Sequence, residues 1–300
     1  MHASTEDVAD GEVTSEEDPL PHFSLDDECD IDDDVDTELA APKKKPKWWV
    51  RRAGRRGTKS QRRALALLSD RYVIPPVRGP YPPSGPRIDL GAFFDGPDAP
   101  ATLEVGFGTG EVLVENVVAA AGADGRRYVG VETHSPSAIK CLQALEARGC
   151  RSNVRVFIGD AANFLRRAPL GYFDRIVLTF PDPWSLYCVA DGKMRGCEDE
   201  GRRILQVSTA RDIRRALHME DDALSCLAGS FLLATDVFSY VEWAERVLEE
   251  EGKDECGDGP GWKRADVPDR SLWLPVVSKY EQKAIDEGRD IHLRCWIRTR

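Results

Sequence analysis

TLEVGFGTGEV, residues 102–112, is the stretch whose reading decides the fold. Its first half, TLEVGF (102–107), is a short apolar run of strand length, and a helical pattern from Thr109 to Ala121 follows it directly. Gly106, Gly108 and Gly110 fall at the junction, where glycine permits a tight turn and lets a ligand approach the backbone. The spacing is GxGxG rather than the dinucleotide fingerprint GxGxxG, because position 111 is Glu. Glu104 and Glu111 repel a pyrophosphate, whereas they attract a cationic ligand that carries a sulfonium and an amino group. Taken alone, the same residues also suit an ordinary glycine-rich βα turn.

Outward from this turn, strand and helix patterns alternate. RYVGVE (127–132) reads as a strand, Ser135 to Arg148 as a helix with Pro136 near its start, NVRVFIG (153–159) as a third strand and Phe173 to Phe180 as a fourth. A helix-like stretch from Ser208 to Leu227 precedes Gly229 and the strand SFLLATD (230–236). A helix from Phe238 to Glu250, an acid-rich surface loop (249–261) and the alternating strand HLRCWIRTR (292–300) close the chain. Regular alternation with short, fully apolar strands implies an α/β fold, a parallel sheet covered by helices on both faces.

Acids end successive strands. Glu132 closes RYVGVE at the distance past the glycine turn where a carboxylate can accept hydrogen bonds from both ribose hydroxyls of an adenosine. Asp160, with Ala161 after it, ends the next strand, where it lies near the adenine and can accept from the amino group. Each acid alone serves equally as a helix N-cap; Glu104, Glu132 and Asp160 together, beside the glycines, favour a nucleoside pocket. The fourth strand ends in TFPDPW (179–184), whose prolines stiffen a loop holding the Asp182 carboxylate and the Trp184 ring at the pocket's mouth. A turn cap with a packed Trp is the other reading of that loop.

The net charge of −11 conceals a strong asymmetry. Residues 1–40 hold 16 Asp and Glu and no Lys or Arg, so the remainder carries 41 − 36 = +5. This acidic tail lacks the apolar content to offset ordering entropy and is expected to be disordered; neither a signal peptide nor a transit peptide fits it. From Lys43 to Arg63, KKKPKWWVRRAGRRGTKSQRR brings eleven cations and no acid, with Trp48 and Trp49 as stacking surfaces, and reads as a nucleic-acid-binding arm. KKKPK (43–47) resembles an import signal, which points to nucleus or cytoplasm. The acidic tail can also fold back and compete with RNA for this arm. Residues 41–100 thus comprise the basic arm, a short helix from Lys59 to Tyr72 and a Pro-rich linker, and the core begins after Pro100. No apolar run approaches the roughly 20 residues of a membrane span. The eight cysteines include no CxxC and no Cys/His cluster at metal-ligand spacing, so free thiols and no metal are expected.

In order, GRRGTKSQRRAL, LEVGFGTG, GVETHSP, GDA, FPDPW, RRILQ, ATD and SKYEQKAIDEG, between about Arg51 and Arg298, resemble the tRNA (guanine-N7-)-methyltransferase family. LEVGFGTG indicates only a broad methyltransferase superfamily; FPDPW with ATD and SKYE downstream is far more specific. The resemblance implies a doubly wound Rossmann-like methyltransferase domain over residues 101–300, its mostly parallel seven-stranded sheet carrying an antiparallel C-terminal strand. It implies S-adenosyl-L-methionine bordered by Glu104, Gly106, Gly108, Gly110, Glu132, Asp160, Ala161 and Asp182, with Asp182 catalytic. Asp236 of ATD, Ser278, Lys279, Tyr280 and Glu281 of SKYE, and Arg202 and Arg203 fall on the tRNA side. Read without the family, Ser278 is a helix N-cap with Glu281 completing a capping box. Eukaryotic members of the family work with a β-propeller (WD-repeat) subunit and bacterial ones without. One departure stands out: SLYCVADGKMRGCEDEG (185–201) replaces the family's short basic run after PDPW, Leu186 stands where a substrate-binding lysine is expected, and Lys193 and Arg195 are the cations offered instead. Two other readings are a catalytically inactive tRNA-binding subunit, which the altered loop favours, and an enzyme of this fold acting on a small molecule, which the basic arm disfavours.

Overall fold

Seven strands form one sheet in the order β3-β2-β1-β4-β5-β7-β6. They are β1 (Ala101–Val105), β2 (Arg127–Glu132), β3 (Val154–Ile158), β4 (Arg175–Thr179), β5 (Ser230–Thr235), β6 (Trp262–Ala265) and β7 (His292–Arg298). The computed structural model describes residues 58–299 except 83–84, 96–98, 121–124, 185–200, 220–228 and 254–260. The acidic tail, most of the basic arm with Trp48 and Trp49, Leu186, Lys193 and Arg195 lie outside the described residues. β1, β4 and β5 are buried along their whole length, as central strands of a sheet covered on both faces must be. β7 runs antiparallel to both of its neighbours, β5 and β6, so six strands are parallel and only the C-terminal one is reversed.

Helices cover both faces. α1 (Lys59–Tyr72), α2 (Glu111–Ala120) and α3 (Ser135–Ala147) enclose one core with Leu68, Leu113, Val117 and Leu142; α4 (Ala161–Arg167), α5 (Val207–Ala216) and α6 (Phe238–Gly252) enclose the other with Phe164, Ile213, Tyr240 and Leu248. α7 (Lys279–Asp286) stands before β7. α1 has the expected bounds, opened by a full capping box between Thr58 and Gln61. Its end is tied to α3: the Tyr72 hydroxyl donates to Glu146 at 2.8 Å, and Arg71 and Arg151 pair with the same carboxylate.

The Pro-rich linker is held against the sheet domain rather than free of it. Arg167 of α4, itself buried, donates to the carbonyls of Gly79, Pro80 and Pro86, and Tyr81 takes the guanidinium groups of Arg166 and Arg167 over its ring. Two elements have no counterpart in the sequence reading. α4 spans only seven residues, too few to display a 3.6-residue period, and β6 is a four-residue edge strand, WKRA, with two cations facing out. The helix read from Ser208 to Leu227 stops at Ala216, because Leu217 turns extended and bridges Phe173, whose carbonyl accepts the His218 N–H at 2.7 Å. Cys141, Cys150 and Cys295 are free, buried thiols.

Candidate functional site

The acids collect at the carboxyl edge of the parallel strands. β1 delivers Glu104 and then the turn Gly106 to Gly110, all three glycines having positive φ. Gly110 must be glycine for a second reason: a Cβ there would sit 2.3 Å from the Cys141 sulfur, so the turn packs directly on α3. Glu132, from the neighbouring β2, reaches back and accepts from the Gly108 N–H at 2.9 Å and the His134 N–H at 2.7 Å. These bonds leave lone pairs on both oxygens.

Glu104 is buried and forms no hydrogen bond or ion pair with any described residue. Burial, helped by the charge of Glu111, pushes its carboxyl pKa up to about 8. Burial raises the Cys141 thiol as well, and the negative fields of Glu104, Glu111 and Glu132 add to that rise, so the three carboxylates share one small region. None of them pairs with a described cation. An unpartnered buried carboxylate beside two others is costly unless a cation completes the site. The residues present therefore fit a ligand that brings its own positive charge together with ribose and base.

Asp160 and Ala161 follow β3, one strand beyond Glu132 along the same edge. Asp160 caps α4, its Oδ1 accepting the Asn163 N–H at 2.8 Å, and Asn163 Oδ1 accepts the Tyr81 hydroxyl at 2.6 Å. The cap uses Oδ1 alone, and Oδ2 makes no bond to a described residue. Tyr81 belongs to the linker, and composition gave no sign that it would meet this site.

Asp182 is exposed at the end of β4, between two prolines. Phe180 (φ 46°) and Trp184 (φ 28°) bracket it, the only non-glycine residues with positive φ among those described. Such conformations persist where surrounding contacts over-determine them. Arg203 supplies those contacts: it is buried, its Nε donates to the carbonyls of Pro183 and Trp184, Nη2 donates to Trp184 again, and its guanidinium lies 4.3 Å from the centre of the Trp243 ring. Arg203 is thus a brace under the loop, whereas Arg202 is exposed and lies over the Trp184 ring at 3.5 Å.

The residues of ATD and SKYE come to the same edge. Tyr280 is exposed and so close to the glycine turn that a Cβ on Gly108 would lie 3.3 Å from its ring. Ser278 caps α7, accepting from the Glu281 N–H. The Glu281 carboxylate does not close a capping box; it is buried and bound by both terminal nitrogens of Arg270. Lys279 is exposed. Asp236 is ion-paired with Arg289 at 2.9 Å, a partner 53 positions away that no motif announced.

A doubly wound sheet with one reversed strand, a glycine turn and, beside it, three acids without a described cation defines an α/β nucleoside-binding enzyme of the methyltransferase class. Residues 98–293 match a family model described as a putative methyltransferase. The chain is 34% identical over 257 residues to the tRNA (guanine-N(7)-)-methyltransferase of Alkalilimnicola ehrlichii, covering 84% of this chain and 92% of that one. It is also 34% identical over 267 residues to the enzyme of the same name from Aeromonas hydrophila, covering 87% and 95%. The chain belongs to the tRNA (guanine-N(7)-)-methyltransferase family. The solved 16S rRNA methyltransferase KamB overlays 68% of this chain and 89% of its own at a TM-score of 0.42 and 17% identity, too loose to carry further argument.

Proposed function

We infer that the chain transfers a methyl group from S-adenosylmethionine to N7 of a guanine in tRNA, by family resemblance a variable-loop guanine. The observation that carries this reading is a crevice of three carboxylates that pair with no described cation, beside a glycine turn, in a chain aligned nearly end to end with enzymes named for that reaction. When bound, the cofactor supplies an electrophilic methyl group on a positively charged sulfur. Glu104 and Glu111 balance positive charge, Glu132 accepts from the ribose hydroxyls, and Asp160 with Ala161 receives the adenine.

Guanine N7 has an in-plane lone pair and no proton to lose, so the chain's task is alignment rather than general-base catalysis. Asp182 orients the base and stabilises positive charge moving onto the purine, and Trp184 offers its face to a base taken out of its stack. Arg202, Lys279 and Tyr280, all exposed, meet the RNA; Ser278 caps the helix of Lys279 and Tyr280, Asp236 reaches the substrate from its pair with Arg289, and Arg203 and Glu281 act by positioning. No helix among the described residues is long and apolar enough to cross a membrane. The import-like KKKPK (43–47) and the long tail support a place in nucleus or cytoplasm and a WD-repeat partner.

The test incubates purified protein with labelled S-adenosylmethionine and bulk tRNA, then maps the modified base. Label at guanine N7 supports the reading, RNA binding without label indicates an inactive subunit, and neither indicates a small-molecule enzyme. Asp182→Ala is expected to keep cofactor affinity and lose most methyl transfer; unchanged turnover by that variant removes Asp182 from the reaction.

A further inference from the structure

The strand ends of the crevice present their residues in spatial order: Asp160 after β3, Glu132 at the end of β2, Glu104 on β1 with the glycines after it, Asp182 after β4, Asp236 after β5, and His292 at the start of β7. Cofactor residues occupy one side of Asp182, so what lies on the other side faces the substrate beyond its reacting atom. There stand Asp236 with Arg289, then Phe238 with His292. Phe238 opens α6 and is 53% exposed, although a phenyl ring gains by burial. Its ring and that of His292 meet edge to face, with centroids 5.2 Å apart at 67°. Whichever ring offers the edge, His292 leaves at least one face of Phe238 uncovered while restricting its rotation. His292 is itself anchored in the sheet, its Cα opposite Thr235.

We propose that Phe238, steadied by His292, is a stacking platform for a base of the RNA strand adjoining the nucleotide that is methylated. The neighbourhood suits a base better than a phosphate. Arg289 is shared between the carboxylates of Asp236 and Glu287, and Arg294, two residues along β7 from His292, pairs with Glu245, so both cations already have carboxylate partners. What remains is a flat, neutral, accessible ring, and every base has a π-face to lay on it. The proposal rests on the tRNA reading above and adds to it a contact outside the residues carried by the family motifs.

The test measures equilibrium binding of tRNA in the presence of S-adenosylhomocysteine, alongside steady-state kinetics and cofactor affinity. Wild-type protein that neither binds nor methylates tRNA overturns the functional reading itself, whereas the platform is judged against a wild type that does both. Phe238→Ala is expected to weaken tRNA binding about tenfold, the usual scale of one lost base stack, and to raise KM for tRNA with little change in kcat. Phe238→Trp should bind as the wild type does, and Phe238→Leu should fail like the Ala variant because it keeps apolar area without a π-face. His292→Ala should give a smaller loss. Wild-type affinity in Phe238→Ala, full affinity in Phe238→Leu, or a loss of cofactor binding in step with tRNA binding would each overturn the proposal.

Discussion

At neutral pH the Glu104 carboxyl, its pKa pushed up to about 8 by burial and by Glu111, is mostly protonated in the cofactor-free protein. A cationic ligand favours the ionised form, so binding must expel that proton. The sign follows: below about pH 8 each lower pH unit weakens cofactor binding, and above it affinity levels off. Titration calorimetry in buffers of different ionisation enthalpy should detect the released proton near pH 7, and Glu104→Gln should abolish the dependence. Affinity that stays flat from pH 6 to 9 would show that Glu104 does not meet the cation. The type and position of this residue were legible in TLEVGFGTGEV, but its burial and lack of a described partner were not, since both depend on how α2 and α3 pack on each other and on the neighbouring β2.

At the scale of elements, two tethers hold the loop after β4 and α7. The loop after β4 keeps Phe180 and Trp184 in left-handed conformations because Arg203 fastens the carbonyls of Pro183 and Trp184 from beneath. Arg203→Lys retains the charge and loses the planar fork, which should lower kcat about tenfold or more through misplacement of Asp182, with cofactor affinity unchanged. Steady-state kinetics decide it, and an unaltered kcat would mean the loop holds its own shape. α7 depends on Arg270, whose removal in Arg270→Met leaves the Glu281 carboxylate buried without a cation. Complete burial of both partners would make this cost 3–5 kcal/mol, but the Arg270 side chain is 35% exposed, so about 2 kcal/mol and a drop in Tm of roughly 5 °C are expected in thermal unfolding. A Tm within 1 °C of wild type would rule the tether out. RRILQ and SKYE were both visible in the sequence, yet composition could not say that Arg203 and Glu281 point inward. A charged residue in a short motif looks the same whether it meets a substrate or a partner twenty residues away.

For the whole molecule, the division of charge is the dominant property. Residues 1–40 lower a chain of +5 to −11. Deleting them should tighten tRNA binding at low ionic strength, with the gap between full-length and truncated protein closing as salt is raised past about 0.3 M, because both tail repulsion and phosphate attraction are screened. Equal affinities at low salt would show that the tail does not compete for RNA. Sequence by itself determined the α/β class, α1 to the residue, the parallel strands β1 to β5, the acids at their ends and the family, because hydrophobic period, glycine spacing and motif order are local properties of the chain. It missed α4 and β6, which are too short for a period to emerge, and it overran α5, where a bridge to Phe173 ended the helix. Only tertiary structure decided which motif residues face the crevice. It left Glu104, Glu111 and Glu132 without an ion pair among the described residues, set Tyr280 over the glycine turn, fastened the linker to α4 through Arg167 and turned Arg203 into a brace. Those outcomes depend on partners 19 to 172 residues away, and whether a charge is satisfied within the fold or left for a ligand is a property of packing, not of spacing.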